Sequence, residues 1–263
     1  MRGALALPRG KASTLGLEVL LPAAITVVAL LIYINSAFFS SFNAPDPDLS
    51  INLTAAHAIA HGQDPYGEST LLQRAKDLHS PTLFMYLTLF TSYIQPPTSA
   101  MAVLPLTPLS WRWATRAYLV LNDLMLPAAL LLTLYTVRPS VPWPWAIAGA
   151  AVLLAGFAQV YASFALGQVD ASMTLLLAIG LWGYSRGRAA VTGTAIAAGV
   201  AIKLIPVLLL LYFLWKREYR VVLWGIGAGA ALFLLSFAVA GPDTYRTYFS
   251  DTLPALMKGS THY

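Results

Sequence analysis

The sequence contains no cysteine, which excludes a disulfide framework and thiolate chemistry. Charge is scarce as well: 10% of the residues are charged, against roughly a quarter in an ordinary soluble domain. The 16 basic residues outnumber the 11 acidic ones, for a formal net charge of +5. The basic residues sit in short clusters beside apolar runs, which is the pattern of membrane topology signals and not a nucleic-acid footprint. No repeat of 20–50 residues and no low-complexity tail is present. The pair His57 and His61 lies at helical i, i+4 spacing and could share a metal. Ala58 stands where the zincin pattern needs glutamate, so "HAIAH" is not a hydrolase motif. "GIGAG" (225–229) lies inside an apolar run with no strand before it, so it reads as small-residue helix packing and not as a nucleotide loop.

What the sequence has in abundance is long apolar runs. Residues 17–39, 117–137, 144–166 and 221–241 each reach the roughly 20 residues that a spanning helix needs. The fold class is therefore all-α and polytopic. The first run follows the basic "MRGALALPRGK" but is too long for a signal-peptide core, so it reads as a retained span with its N-terminus in the cytoplasm. The organisation expected is a single transmembrane domain over 1–263. Its parts are a first span (17–39), an extracytoplasmic loop (40–95), the remaining spans and re-entrant segments (96–241) and a polar C-terminal segment (242–263).

The loop is the one long polar-containing segment. It carries Asp46, Asp48, Asp64, Glu68 and Asp77 against Arg74 and Lys76. Asp48 to His61 reads as a short amphipathic helix lying on the membrane, with Gly62 as its C′ residue and "GQDPYG" as a turn. A second short helix is expected over Ser69–Leu78, and the aromatic run 82–94 is too short to span. Residues 96–109 are proline-bounded and also short. The run 189–215 is interrupted by Lys203 and Pro206 and flanked on both sides by basic residues, so it reads as two half-helices that enter and return.

Chemistry concentrates at a few positions. A carboxylate at a helix start, Asp46 or Asp48, is stabilised in its charged form and can cap the helix or act as a general base. Lys203 is costly in an apolar run unless paired or hydrated, with Asp123, Asp170 or an anionic ligand such as a lipid phosphate as its partner. Gln168 and Asp170 follow a glycine in "LGQVD" and open a helix.

Four stretches, in order, resemble motifs of glycosyltransferase family 87: "DLSINLTAAHAIAHGQDPY", "YIQPP" followed by "LPL", "LGQVD" and "IKLIP". The resemblance implies a type C glycosyltransferase-like helical bundle. It also implies transfer of a hexose, by analogy mannose, from a polyprenyl-phosphate sugar donor to a lipid or glycan hydroxyl at the outer membrane face. Membrane lipids are the other partners, and no nucleic acid, cofactor or metal is called for. Asp48 matches the first-loop aspartate expected to be the catalytic base, and Asp46 has no counterpart. Gln168 and Lys203 match positions near the donor. Asp170 stands where the family more often has asparagine, and Tyr66 and Tyr93 belong to the two tyrosine motifs; these three join the expected substrate-binding set. Family members are usually longer, so the resemblance also implies a C-terminally truncated member. The alternative, from the same buried charges and broken helices, is a multi-pass transporter or lipid flippase with a polar midplane site.

Overall fold

In the computed structural model, residues 10–42, 47–79, 84 and 93–258 are described. They are predominantly helical, with no strand among them. Helix α1 (Gly10–Tyr33) runs on through a π-helical stretch (Ile34–Phe39) to form the first long apolar rod, Leu17–Phe39. Two further rods, α5 (Trp111–Val137) and α11 (Tyr219–Thr247, continued to Met257), are also long and apolar enough to cross a bilayer. Their outward faces are large aliphatic side chains: Leu20, Val28, Leu124, Leu131, Leu223 and Leu234 are each 50% or more exposed. An apolar belt of that extent is stable against lipid and not against water.

The fourth apolar run does not form a straight span. It is α6 (Trp143–Gly156) and α7 (Ala158–Leu166), bent by 56° where Phe157 takes an extended conformation. The run 189–215 breaks as its lysine and proline suggest, into α9 (Ala189–Ile202) and α10 (Val207–Trp215). Phe213, near the end of α10, packs on Ile196 of α9 and lies 5.0 Å from the ring of Tyr184, at the end of α8 (Asp170–Ser185). Helix α10 therefore folds back along α9. Helices α5, α8, α9 and α11 pack side by side in that order, and α1 packs on α6.

The segment between the first two rods covers one end of this bundle. It contains α2 (Pro47–Ala60), α3 (Glu68–Asp77), α4 (Pro97–Met101) and a 3₁₀ turn at Leu104–Leu106. Residues 96–109 thus do not cross. The expected run 82–94 and Asp46 fall, but for Phe84, Tyr93 and Ile94, outside the described residues. Gly62 does terminate α2, with φ +67 and Schellman-type bonds from Gly62 N–H to Ile59 O (2.9 Å) and Gln63 N–H to Ala58 O (2.9 Å).

Helix α2 corrects the sequence expectation. It is not an amphipathic helix lying on a surface: Leu49, Ser50 and the run Asn52 to Ala56 are all buried, as are Ala58 and Ile59. The period was masked because its polar side chains satisfy themselves locally. Thr54 Oγ1 donates to Ser50 O (2.8 Å) and Asn52 Nδ2 donates to Asp48 O (2.8 Å), so small polar residues pack where apolar ones would be sought. With Leu71 and Ala75 of α3, Tyr93, Ala100 and Tyr118 of α5, α2 forms the core of this end of the molecule.

Candidate active site

A cavity of about 290 Å³ opens where α2, the 94–96 segment, the start of α8 and the α9–α10 break converge. Asp48, Asn52, Gln95, Gln168 and Lys203 line it. Asp48, Gln168 and Lys203, up to 155 residues apart in the sequence numbering, are brought together in it.

Each of these groups is fixed by the local fold. Asp48 is the second residue of α2, where the free N–H groups of the first turn favour a carboxylate. One turn later Asn52 is almost fully buried; its amide nitrogen holds the Asp48 carbonyl, while its Oδ1 has no hydrogen-bond partner among the described residues. Gln168 follows Gly167, whose φ of +65 is a conformation that a β-carbon would strain. Its backbone is pinned twice: its N–H donates to Ser163 O (2.9 Å), and its carbonyl accepts from Tyr118 Oη (2.9 Å). Helix α8 begins two residues on, so its positive end lies beside the cavity wall at Gln168 and Val169.

Lys203 is at the break itself, with extended backbone (φ −149, ψ 130). The preceding carbonyl, of Ile202, accepts a hydrogen bond from Ser99 Oγ of α4. A lysine at the centre of a spanning helix costs about 3 kcal/mol on insertion scales. The break removes that cost, because the Lys203 side chain is 49% exposed beside a polar cavity. Its partner is Asp170, with Nζ 3.8 Å from Oδ1. Asp123, the other candidate partner, faces Tyr33 of α1 instead. Asp170 itself lines a second, mostly apolar cavity of about 340 Å³ between α5, α6, α7 and α8, with Leu126, Leu153, Phe157 and Phe164. The ion pair therefore sits between a polar chamber and an apolar one.

Tyr66 and Tyr93 stand behind the wall and do not line the cavity. Tyr66 Oη donates to Gln95 O (2.7 Å) and Tyr93 Oη to Pro96 O (3.1 Å), fixing the backbone that does line it. Their rings lie 5.4 Å apart, and Tyr248 approaches Tyr66 at 5.7 Å. Burial pushes both phenols well above their ordinary range, so they remain donors at neutral pH. Asp64 closes the assembly: its Oδ1 accepts the Tyr66 N–H (3.0 Å) and its Oδ2 accepts from Thr247 Oγ1 (2.6 Å), beyond the break at Gly241 in α11.

His57 and His61 stack at 6.3 Å, and burial together with the charges of His61 and Arg74 lowers the His57 pKa. Among the described residues no group of three or more His, Cys, Asp or Glu side chains gathers. The sequence reading missed Asn52 and Gln95 as cavity residues. For Asn52 the signal was there, since i, i+4 spacing sets it on the same face of α2 as Asp48. Gln95 lies inside the "YIQPP" motif, with nothing in its spacing to say that it would face inward.

The arrangement offers a carboxylate, an amide, an ammonium and a helix N-terminus around one chamber, the donor and acceptor set for moving a group off an anionic leaving group. A polyprenol-phosphate-mannose-dependent alpha-(1-2)-phosphatidylinositol mannoside mannosyltransferase from Mycobacterium tuberculosis (strain ATCC 25618 / H37Rv) is 29% identical over 218 residues, covering 78% of this chain and 48% of the relative. The chain thus spans about half the length of that relative. No solved structure matches this chain. The family model of glycosyltransferase family 87 matches residues 93–263, a stretch that includes Tyr93, Gln168, Asp170 and Lys203 and begins after Asp48. By that match, over more than half of its length, the chain belongs to glycosyltransferase family 87.

Proposed function

We propose that this chain acts in the transfer of a hexose, mannose by the analogy of its relative, from a polyprenyl-phosphate sugar to a hydroxyl of a lipid or glycan at the outer face of the membrane. The observation that carries the reading is the single cavity shared by Asp48, Gln168 and Lys203.

In this scheme Asp48 accepts the proton of the acceptor hydroxyl, whose oxygen attacks the anomeric carbon with inversion. The bond from that carbon to the phosphate oxygen breaks, and the phosphate oxygen keeps the electron pair. Charge grows on the leaving phosphate, where Lys203, the Gln168 amide and the first amides of α8 are the available stabilisers. Tyr66 and Tyr93 act as positioning residues through the Gln95–Pro96 backbone.

The charge distribution supports the outer-face orientation. Arg186 Nη2 donates to Tyr135 Oη (2.9 Å) near the end of α5, so Arg138, Arg186 and Arg188 share one end of the bundle. Phe213 packs beside Tyr184 at that same end, which brings Lys216 and Arg217 to it. Basic loops face the cytoplasm, which leaves the cavity, at the opposite end, facing out.

The test is transfer by membranes containing the chain, supplied with radiolabelled polyprenyl-phosphate mannose and a mixed lipid acceptor pool. Label is expected to enter the acceptor pool. Asp48→Asn at equal expression is expected to lower that rate at least about 100-fold, the usual contribution of a general base. Transfer unaffected by Asp48→Asn would remove the base assignment, and no transfer by the wild-type chain would overturn the reading.

A further inference from the structure

The placement of Asp170 poses a question that phosphate binding alone does not answer: a carboxylate beside the one basic side chain among the described cavity-lining residues weakens that residue's hold on any anion. Asp170 Oδ1 lies 3.8 Å from Lys203 Nζ, and both side chains are partly exposed, at 35% and 49%. Lys203 lines the polar chamber, while Asp170 lines the apolar one and adjoins Val169, which lines the polar chamber. The carboxylate is thus a fixed negative charge at the back of the proposed phosphate site.

We infer that Asp170 is a product-release residue, which offsets more of the Lys203 attraction for a phosphate monoester than for a phosphate diester. This rests on the reading above, in which the donor phosphate binds at Lys203. The donor's phosphate links lipid and sugar and carries about one negative charge. When the anomeric carbon is transferred, its bond to the phosphate oxygen breaks and the electron pair stays on that oxygen. The proton lost by the acceptor hydroxyl goes to Asp48. The lipid phosphate left behind is a monoester, with a charge of about −1.5 to −2 at neutral pH. Repulsion from a fixed carboxylate scales with that charge, so Asp170 disfavours the product nearly twice as strongly as the donor. An ammonium without such a neighbour would bind the more highly charged product more tightly and retain it. The lipid chain adds a reason for the arrangement: a product anchored by its tail needs an electrostatic bias at the head to leave.

The experiment measures binding of two short-chain probes, farnesyl phosphate and its methyl diester, to the purified full chain and to its Asp170→Asn and Lys203→Gln variants. Asp170→Asn keeps the shape of the side chain and removes only its charge. It is expected to tighten farnesyl phosphate about fivefold, the upper range for a partly exposed ion pair, and the diester only about twofold. Lys203→Gln is expected to weaken both probes. Equal tightening of the two probes, no tightening, or weaker binding in Asp170→Asn would overturn the inference while leaving the phosphate site intact. If Lys203→Gln weakens neither probe, the phosphate does not bind at Lys203, and both the anion-site assignment and the inference fall together.

Discussion

At the scale of single residues, the site separates groups that touch the cavity from groups that only hold its wall. Asp48, Gln168 and Lys203 belong to the first set, and Tyr66 and Tyr93 to the second. The distinction has a measurable consequence. Tyr66→Phe deletes the donor to Gln95 O and leaves a partly enclosed carbonyl unpaired, a loss of about 1–3 kcal/mol. The expected result is a lowered thermal midpoint and a several-fold drop in kcat at nearly unchanged donor KM, well short of the loss in Asp48→Asn. A kcat equal to that of Asp48→Asn would move Tyr66 into the reacting centre, and a large rise in KM alone would make it a donor contact. The residue types at the site were legible in the sequence because charge is so rare in this chain that each ionisable group in or beside an apolar run stands out. The division of labour was not, because nothing in the spacing of "DPYG" and "YIQPP" tells whether a phenol faces a chamber or a backbone carbonyl 29 residues away.

At the scale of elements, two breaks and one very close crossing shape the bundle, and the break at Lys203 lines the chamber. The break at Lys203 was legible: a lysine and a proline within four residues of an apolar run leave few other solutions. The bend at Phe157 was not, since no proline marks it and the run 144–166 has the length and composition of an uninterrupted span. The burial of α2 was also hidden, because Ser50, Asn52 and Thr54 count as polar in any periodicity reading and yet fill its core face. The half-helix α9 owes its position to Gly193. A β-carbon there would lie 2.7 Å from the Gly225 backbone nitrogen and would meet the Val221 carbonyl on α11. Backbone cannot yield as a flexible side chain does, so Gly193→Ala is expected to destabilise by about 1–3 kcal/mol or more through overpacking, despite alanine's better helix propensity. Gly227→Ala is the control, since its β-carbon meets nothing within 4 Å among the described residues. Size-exclusion profiles and thermal midpoints in detergent read the difference. A Gly193→Ala protein as stable as Gly227→Ala would show that α9 and α11 do not approach as closely as described.

At the scale of the whole molecule, the elements sort charge and polarity to opposite ends of an apolar belt. One end carries the α2–α4 cap, the cavity and the Asp64–Thr247 link. The other carries the turns at Arg138, Arg186–Arg188 and Lys216–Arg217. In this two-ended arrangement "GQVD" lies at the same end as α2, because Asp48 and Gln168 line one chamber. The absence of native cysteine makes single-cysteine labelling direct. Ser69→Cys on α3, Ser140→Cys between α5 and α6 and Lys216→Cys after α10 all introduce exposed thiols. With a membrane-impermeant maleimide on intact cells, Ser69→Cys is expected to label at once, and Ser140→Cys and Lys216→Cys only after permeabilisation. Lys216→Cys is the decisive position. If α9 and α10 form one straight span, Lys216 emerges on the same side as Ser69 and labels in intact cells. If α10 folds back along α9, as the packing of Phe213 against Ile196 and Tyr184 has it, Lys216 stays with Ser140. In the proposed orientation Lys203 then remains at the tip of a re-entrant pair, on the side from which the proposed lipid phosphate would reach it without crossing the bilayer.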